Sequence, residues 1–320
     1  MAITFSTGTI NQPDAGSVGL SMVEKLRDEL VAHAAWDLVE EFTPASGQVR
    51  WYVFKCLASQ SGMAQDWHVV IGRILGSGEH RFMICEDYAA GGHVASFFSV
   101  GHQYTSSFNF DSLGRYAATT FTLSTTPISG NPAYTTWAPS GTSTKYWITV
   151  DNDGFTVAYN GASNGFVHIG AYVPLTQIPI LLPIQMIGYD GIGVITRNPG
   201  VAGATNMYGG AIGLASSGQG QSVSIASYLG FASYLNYNDK LQGNQRPVAE
   251  IGMQTNIWQD TIQVAGHGYV LGKQKRMRVG RQSTYPPGFA FGDAYVLNNR
   301  LWVPYNPTDT RVWDTGVAAS

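Results

Sequence analysis

Asp151, Asn152, Asp153 and Gly154 come nearest, by type and spacing, to residues that could hold a metal. Two carboxylates and an amide within three positions open like a calcium loop. An EF-hand loop, however, needs an oxygen ligand at its fifth position, glycine at its sixth and glutamate at its twelfth. Here the glycine comes fourth. Asn, Asp and Gly are also the residues that tolerate positive φ, so the same four residues specify a tight hairpin turn. The expectation is a turn without metal. The other candidates for chemistry are weaker. Glu86 and Asp87 are adjacent, whereas glycoside hydrolysis needs two carboxylates facing each other across a cleft; a solvated turn is expected there. Ser216-Ser217-Gly218 lacks the G-x-S-x-G spacing of a nucleophile elbow. No phosphate-binding G-x-x-x-x-G-K-[ST] is present. The seven histidines, at 33, 68, 80, 93, 102, 168 and 267, show no H-x-x-x-H or H-E-x-x-H spacing. The sequence therefore predicts no catalytic residue, cofactor or metal.

One charged concentration remains. Lys273, Lys275, Arg276, Arg278 and Arg281 are five of the chain's 18 basic residues. On a strand, Lys273, Lys275 and Met277 would share one face, and Gln274, Arg276 and Arg278 the other. A nucleic-acid groove needs many phosphate contacts and a basic domain, whereas the net charge is −3. Lys273, Lys275, Arg276 and Arg278 are instead expected to form an interface with carboxylates of this chain or a neighbour. Glu24, Asp28, Glu29, Asp37, Glu40 and Glu41 are the acidic groups at hand.

The elements that must position these residues follow from periodicity. Met22, Val23, Leu26, Leu30 and Val31 recur at helical spacing, with Glu24, Lys25, Arg27, Asp28 and Glu29 on the opposite face. Ser21 and Glu24 have the spacing of a capping box. A helix over 22–34 is expected. From Trp36 the period becomes two, predicting strands at 36–42, 49–56, 67–73, 81–86 and 97–100. Residues 104–144 are weakly patterned and read as a long excursion. Aromatic runs at 146–150 and 155–159 flank the 151–154 turn, and 166–172 adds a third strand. Pro174, Pro179 and Pro183 then mark an extended crossing. Beyond a Gly-rich stretch, pattern returns at 268–279 and in a hairpin over 294–304 with Asn298-Asn299 as its turn.

The fold class expected is mainly β, with antiparallel sheets (a sandwich or curled barrel) and one N-terminal amphipathic helix. Three regions follow: an extended arm at 1–16, a helix-plus-sheet domain at 17–175, and a Gly-rich second domain or continuation at 176–320. Cys56 and Cys85 lie within expected strands and read as buried free thiols. Trp36, Trp51, Trp67, Trp137, Trp147, Trp258, Trp302 and Trp313 are spread along the chain and read as core or interface anchors. No signal peptide or membrane-spanning run is expected. Charged residues are only 12% of the 320, with 38 glycines. Such a composition suits a β protein whose surface is partly covered by partners.

The aromatic strand, the D-x-D-G hairpin and the later Gly165-Phe166 and Gly170 to Pro174 spacing (G-F-x-x-x-G-x-x-x-P) resemble a pattern in structural proteins of tailed-bacteriophage virions. The resemblance implies a protein without enzymatic chemistry. It would be assembled in several copies, with itself and with other virion proteins, in the tail or tail tip. It implies a virion location after assembly in the host cytoplasm; the net charge of −3 and the lack of a long apolar run predict no nucleic-acid partner and no membrane insertion. The alternative is a carbohydrate-binding adhesin or receptor-binding protein, whose partner would be a host-surface glycan.

Overall fold

The computed structural model describes residues 3–11, 22–45, 47–75, 80–97, 102–104, 110–112, 120–124, 134–137, 143–160, 164–174, 184–188, 191–197, 205–210, 257–264, 269–280, 295–297, 299–304 and 311–318. The chain opens with β1 (Thr4–Asn11), α1 (Met22–Ala32), β2 (Trp36–Phe42), β3 (Val49–Cys56), α2 (Ala58–Ser61), β4 (Trp67–Ile74), β5 (His80–Ala89) and β6 (Val94–Phe97). Four short strands follow: β7 (His102–Tyr104), β8 (Phe110–Ser112), β9 (Thr120–Thr122) and β10 (Tyr134–Trp137). Then come β11 (Ser143–Asp151), β12 (Gly154–Asn160), β13 (Asn164–Ala171), β14 (Val173–Pro174), β15 (Ile184–Gly188), β16 (Gly191–Arg197) and β17 (Thr205–Gly210). The last are β18 (Ile257–Val264), β19 (Tyr269–Gly280), β20 (Tyr295–Leu297), β21 (Arg300–Pro304) and β22 (Arg311–Ala318).

These strands make three large antiparallel sheets. The first runs β1-β11-β12-β13-β15-β16-β17, the second β2-β3-β4-β5-β6-β9 with β10 also on β5, and the third β14-β19-β22-β21-β20 with β18 on β19. The strand boundaries expected at 36–42 and 49–56 are those observed; β3 is buried on both faces, with Tyr52, Phe54 and Cys56 on one core and Val49, Trp51 and Val53 on another. The short β8, β9 and β10 fall where a long excursion was expected. Three or four residues carry too little alternation to be read.

The main core lies between the first two sheets. Tyr146, Ile148, Val150, Phe155, Val157, Val167 and Ile169 point into it from one side, and Trp36, Tyr52, Phe54, Trp67, Val69, Ile71 and Phe82 from the other. Trp36 meets Trp67 and Phe155 edge-on, with ring centroids 5.4 and 5.7 Å apart, the geometry that aromatic quadrupoles favour. Met22, Val23, Leu26 and Leu30 of α1 close this core. The helical stripe is rotated from the expected one. Val31 is exposed (52%), while Glu24 is buried and faces Arg73 at 3.5 Å. The expected Ser21 cap lies outside the described residues.

The second sheet curls around a smaller core of Val49, Trp51, Val53, Val70, Met83, Cys85, Tyr88, Ala95 and Leu123. Its seam is polar. Tyr88 donates to Glu40, His93 Nδ1 lies 3.1 Å from the same carboxylate, and the His93 ring stacks on Phe42 at 3.9 Å. Glu86 and Asp87 stand beside this seam within β5, at a bulge where the register against β6 shifts, rather than in a turn. Cys56 and Cys85 are buried free thiols in different cores, and burial pushes both thiol pKa values up.

Residues 1–16 were expected as an extended arm rather than a core element. Instead Thr4–Asn11 pairs along its full length with β11, from Thr4↔Val150 to Asn11↔Ser143. Ile10 reaches the core, and Thr7 donates its hydroxyl to the Tyr146 carbonyl at 2.7 Å. Polar Ser and Thr hide this strand from a reading by hydropathy. The boundary expected at 175 falls inside the first sheet, since β15 pairs with β13 through Ala171↔Ile184.

Candidate functional site

The 151–154 turn is where the three sheets meet. β11 and β12 pair down to Val150↔Phe155 and Asp151↔Gly154, leaving Asn152 and Asp153 as the two-residue turn. β13 packs closely because Gly154 stands opposite Gly170. A Cβ built on either glycine would fall 2.6 Å from the other's Cα. This close approach lets the Ala171 amide donate to the Asp153 carbonyl at 2.9 Å.

The second sheet grips the turn from one side. The Trp36 indole donates to the Asp151 carbonyl at 2.9 Å, and the Asn152 amide donates to the Gln60 carbonyl in α2 at 3.0 Å. The Asp151 carboxylate closes the turn, accepting from the Asp153 amide at 3.0 Å.

The third sheet grips it from the other side through charge. Lys275 Nζ lies 2.7 and 2.5 Å from the two Asp153 carboxylate oxygens and 3.8 Å from Asp151. Arg276 donates through Nε at 2.8 Å and Nη2 at 2.6 Å to Asp151 Oδ2. For Lys275 and Arg276, the partners are not the acidic groups expected on α1 and β2. Asp28 pairs with Arg27, Glu24 with Arg73, and Glu41 with Arg27 and Arg50.

Lys275 and Arg276 were expected on opposite faces. They reach one carboxylate pair because β19 bulges. Against β18, Gln259 pairs with Arg278 and Thr261 with Lys273, so residues 274–277 of β19 face a single β18 position. A bulge re-aims side chains in this way. Gly316, at φ +74°, leaves the room that the Arg276 guanidinium occupies; a Cβ there would overlap it. Lys273 and Arg278 lie in β19, but their side chains are outside the described residues.

Around these groups is a shallow recess, lined also by Thr149, Phe155, Thr156 and His168. Burial opposes ionisation of Asp151. The hydrogen bond with Asp153, the Arg276 and Lys275 charges, and the Asp153 amide outweigh that and hold its pKa below the usual carboxylate range. Burial, with the hydrogen bond and negative charge of Asp151, raises Asp153 to about 7 against the pull of Lys275. The two carboxyls titrate as one system. His168 is 4% exposed, with Nδ1 3.0 Å from the Phe155 carbonyl and 3.1 Å from the Thr156 hydroxyl. Burial lowers its pKa to about 3.

Sequence reasoning reached the turn and the two cations but missed their pairing, His168 and Gly316. Only the alternation Thr149, Asp151 on one strand and Thr156 on the next, a polar row on a buried face, could have signalled the site.

The histidine carries a pH prediction. Its folded pKa lies below the unfolded value of about 6.5, so between about 3 and 6.5 the unfolded chain binds a proton that the native state does not. The stabilisation from keeping His168 neutral is complete above pH 6.5 and is lost as pH falls. Urea unfolding between pH 6.5 and 4.5 is expected to lose stability less steeply in His168→Asn than in the parent, by up to about 1.4 kcal/mol per pH unit. Superimposable slopes would contradict this.

Among the described residues, no three or more metal-ligating side chains come together. The site balances two carboxylates with two cations and ties three sheets at one hairpin. Compared with known proteins, the chain matches no family model, and no curated protein is significantly similar to it.

Proposed function

We propose that this chain is a non-enzymatic structural component of a tailed-phage particle, in the tail or tail tip, acting by protein–protein assembly. The observation that carries the reading is the β1 edge of the first sheet, which no other described strand extends. Among the described residues, β1 pairs only with β11. Its sequence, Thr-Phe-Ser-Thr-Gly-Thr-Ile-Asn, has no charge and no proline. Edge strands normally carry such features to prevent pairing with another chain. The edge strand of the second sheet does so: β2 holds Asp37, Glu40 and Glu41 and a bulge after Leu38. The contrast between two edges of one molecule favours β1 as a strand that accepts a partner strand.

The low overall charge agrees with covered surface, and the basic residues described at the hairpin joint are spent on carboxylates of the same chain. The glycan-binding alternative needs exposed aromatic platforms. The tryptophans whose side chains are described, Trp36, Trp51, Trp67, Trp147 and Trp302, are buried, which favours the assembly reading.

An antibody to the chain, imaged on intact tailed particles by electron microscopy, is expected to decorate the tail or its tip at a fixed place. Undecorated particles, with binding of the purified chain to a glycan array, would replace this reading with the adhesin.

A further inference from the structure

We infer that Lys275 and Asp153 form a site for a spontaneous intramolecular amide (isopeptide) bond, which joins the 151–154 hairpin covalently to β19, with Asp151 as the proton carrier. The geometry is that of reactants already brought together. Lys275 Nζ touches both oxygens of the Asp153 carboxyl group, at 2.5 and 2.7 Å. Asp151 Oδ2 lies 3.8 Å from the same nitrogen. The three side chains are only 22, 13 and 6% exposed for Lys275, Asp153 and Asp151. Holding a nucleophile and its electrophile in contact removes the entropic barrier that makes amide formation slow in water. Exclusion of solvent disfavours the reverse hydrolysis.

The groups needed for each proton are present. Transfer of a proton from the Lys275 ammonium to Asp153 gives a neutral amine beside a neutral carboxylic acid. Burial and the neighbouring Asp151 charge favour that protonated form of Asp153. A turn of the carboxyl group about its Cβ–Cγ bond presents the carbonyl face to Nζ. The Nζ–Cγ bond forms as Asp151 takes a proton from nitrogen. Asp151 then returns that proton to the leaving hydroxyl, the Cγ–O bond breaks and water departs. Atoms and charge balance: ammonium and carboxylate become one amide and one water, without an oxidant or other co-reactant. Arg276, fixed on Asp151 by two hydrogen bonds, is a positioning residue. A lysine amine of this kind is a recognised nucleophile when desolvated, and the relay is ordinary general acid–base chemistry.

The test is the mass of the purified full chain after incubation at neutral pH. The expected mass is that of the sequence less one water, with a tryptic fragment joining the 151–154 segment to the 275 segment. Asp153-Gly154 could also lose water by forming a succinimide, so the Lys275→Arg variant is measured in parallel. It retains a positive charge but cannot form this amide, and is expected at full mass. Asp151→Asn is expected to slow the loss of water at least tenfold, and recovery of the parent rate in Asp151→Glu assigns proton transfer to the carboxylate. A parent chain at full mass would overturn the inference, as would a loss of water that persists in Lys275→Arg.

Discussion

Replacing Arg73 with alanine is expected to lower the unfolding free energy by about 3–5 kcal/mol. Arg73 lies at the end of β4, 1% exposed, and its guanidinium sits 3.5 Å from Glu24 on the first turn of α1. The helix is otherwise held by apolar residues, so this is an ionic contact inside a largely hydrophobic interface. Ions there have given up their hydration, and removing Arg73 takes away a cation 3.5 Å from a carboxylate in a medium that solvates it poorly. Removing both charges need not do so. The double substitution Glu24→Met and Arg73→Leu, of similar volume, is expected to restore most of the loss, because well-packed apolar replacements of buried ion pairs are often neutral or better. Urea unfolding of the two singles and the double would check this. A single variant within about 1 kcal/mol of the parent would show that the pair is effectively solvated.

Gly170→Val is expected to cost at least about 3 kcal/mol, the upper end for overpacking. The valine Cβ would lie 2.6 Å from Gly154 Cα and 2.9 Å from the Asp153 carbonyl oxygen, and both are backbone atoms that cannot rotate away. The strands must separate, which breaks the Ala171 to Asp153 hydrogen bond and moves the turn off Trp36 and α2. Thermal melting and amide exchange at residues 151–154 would measure it. Full stability with unchanged exchange would show that the joint does not depend on this close approach.

Both effects sit at places the sequence did not reveal. A tight turn between Val150 and Phe155 was legible because Asn, Asp and Gly state their backbone needs locally. Strands rich in β-branched and aromatic residues, such as Val49–Cys56, were legible because such side chains fit a buried pleated surface. The Asn299 turn was too, and it adopts φ +58° as such a turn requires. Glu24 was not, because a charged residue reads as solvated unless its buried partner, 49 positions away, is known to face it. Nor was the bulge in β19, which depends on pairing with β18 rather than on composition. β1 escaped as a strand because Thr, Ser and Gly give no hydrophobic period. Its lack of charge, and the absence of any other described strand beyond it, single out this edge.

Assembly through β1 depends most directly on that edge. Thr9 is exposed and pairs with Lys145 in β11, so Thr9→Glu places a carboxylate opposite a cation and is tolerated by the fold. It also puts a charge on a strand that otherwise has none. The measurement is multi-angle light scattering of the parent and Thr9→Glu chains across a concentration series, with negative-stain images of each. The parent is expected to form a defined oligomer, and Thr9→Glu to shift to monomer with an unchanged circular dichroism spectrum. A parent that stays monomeric at high concentration, or an oligomer indifferent to Thr9→Glu, would contradict assembly through β1.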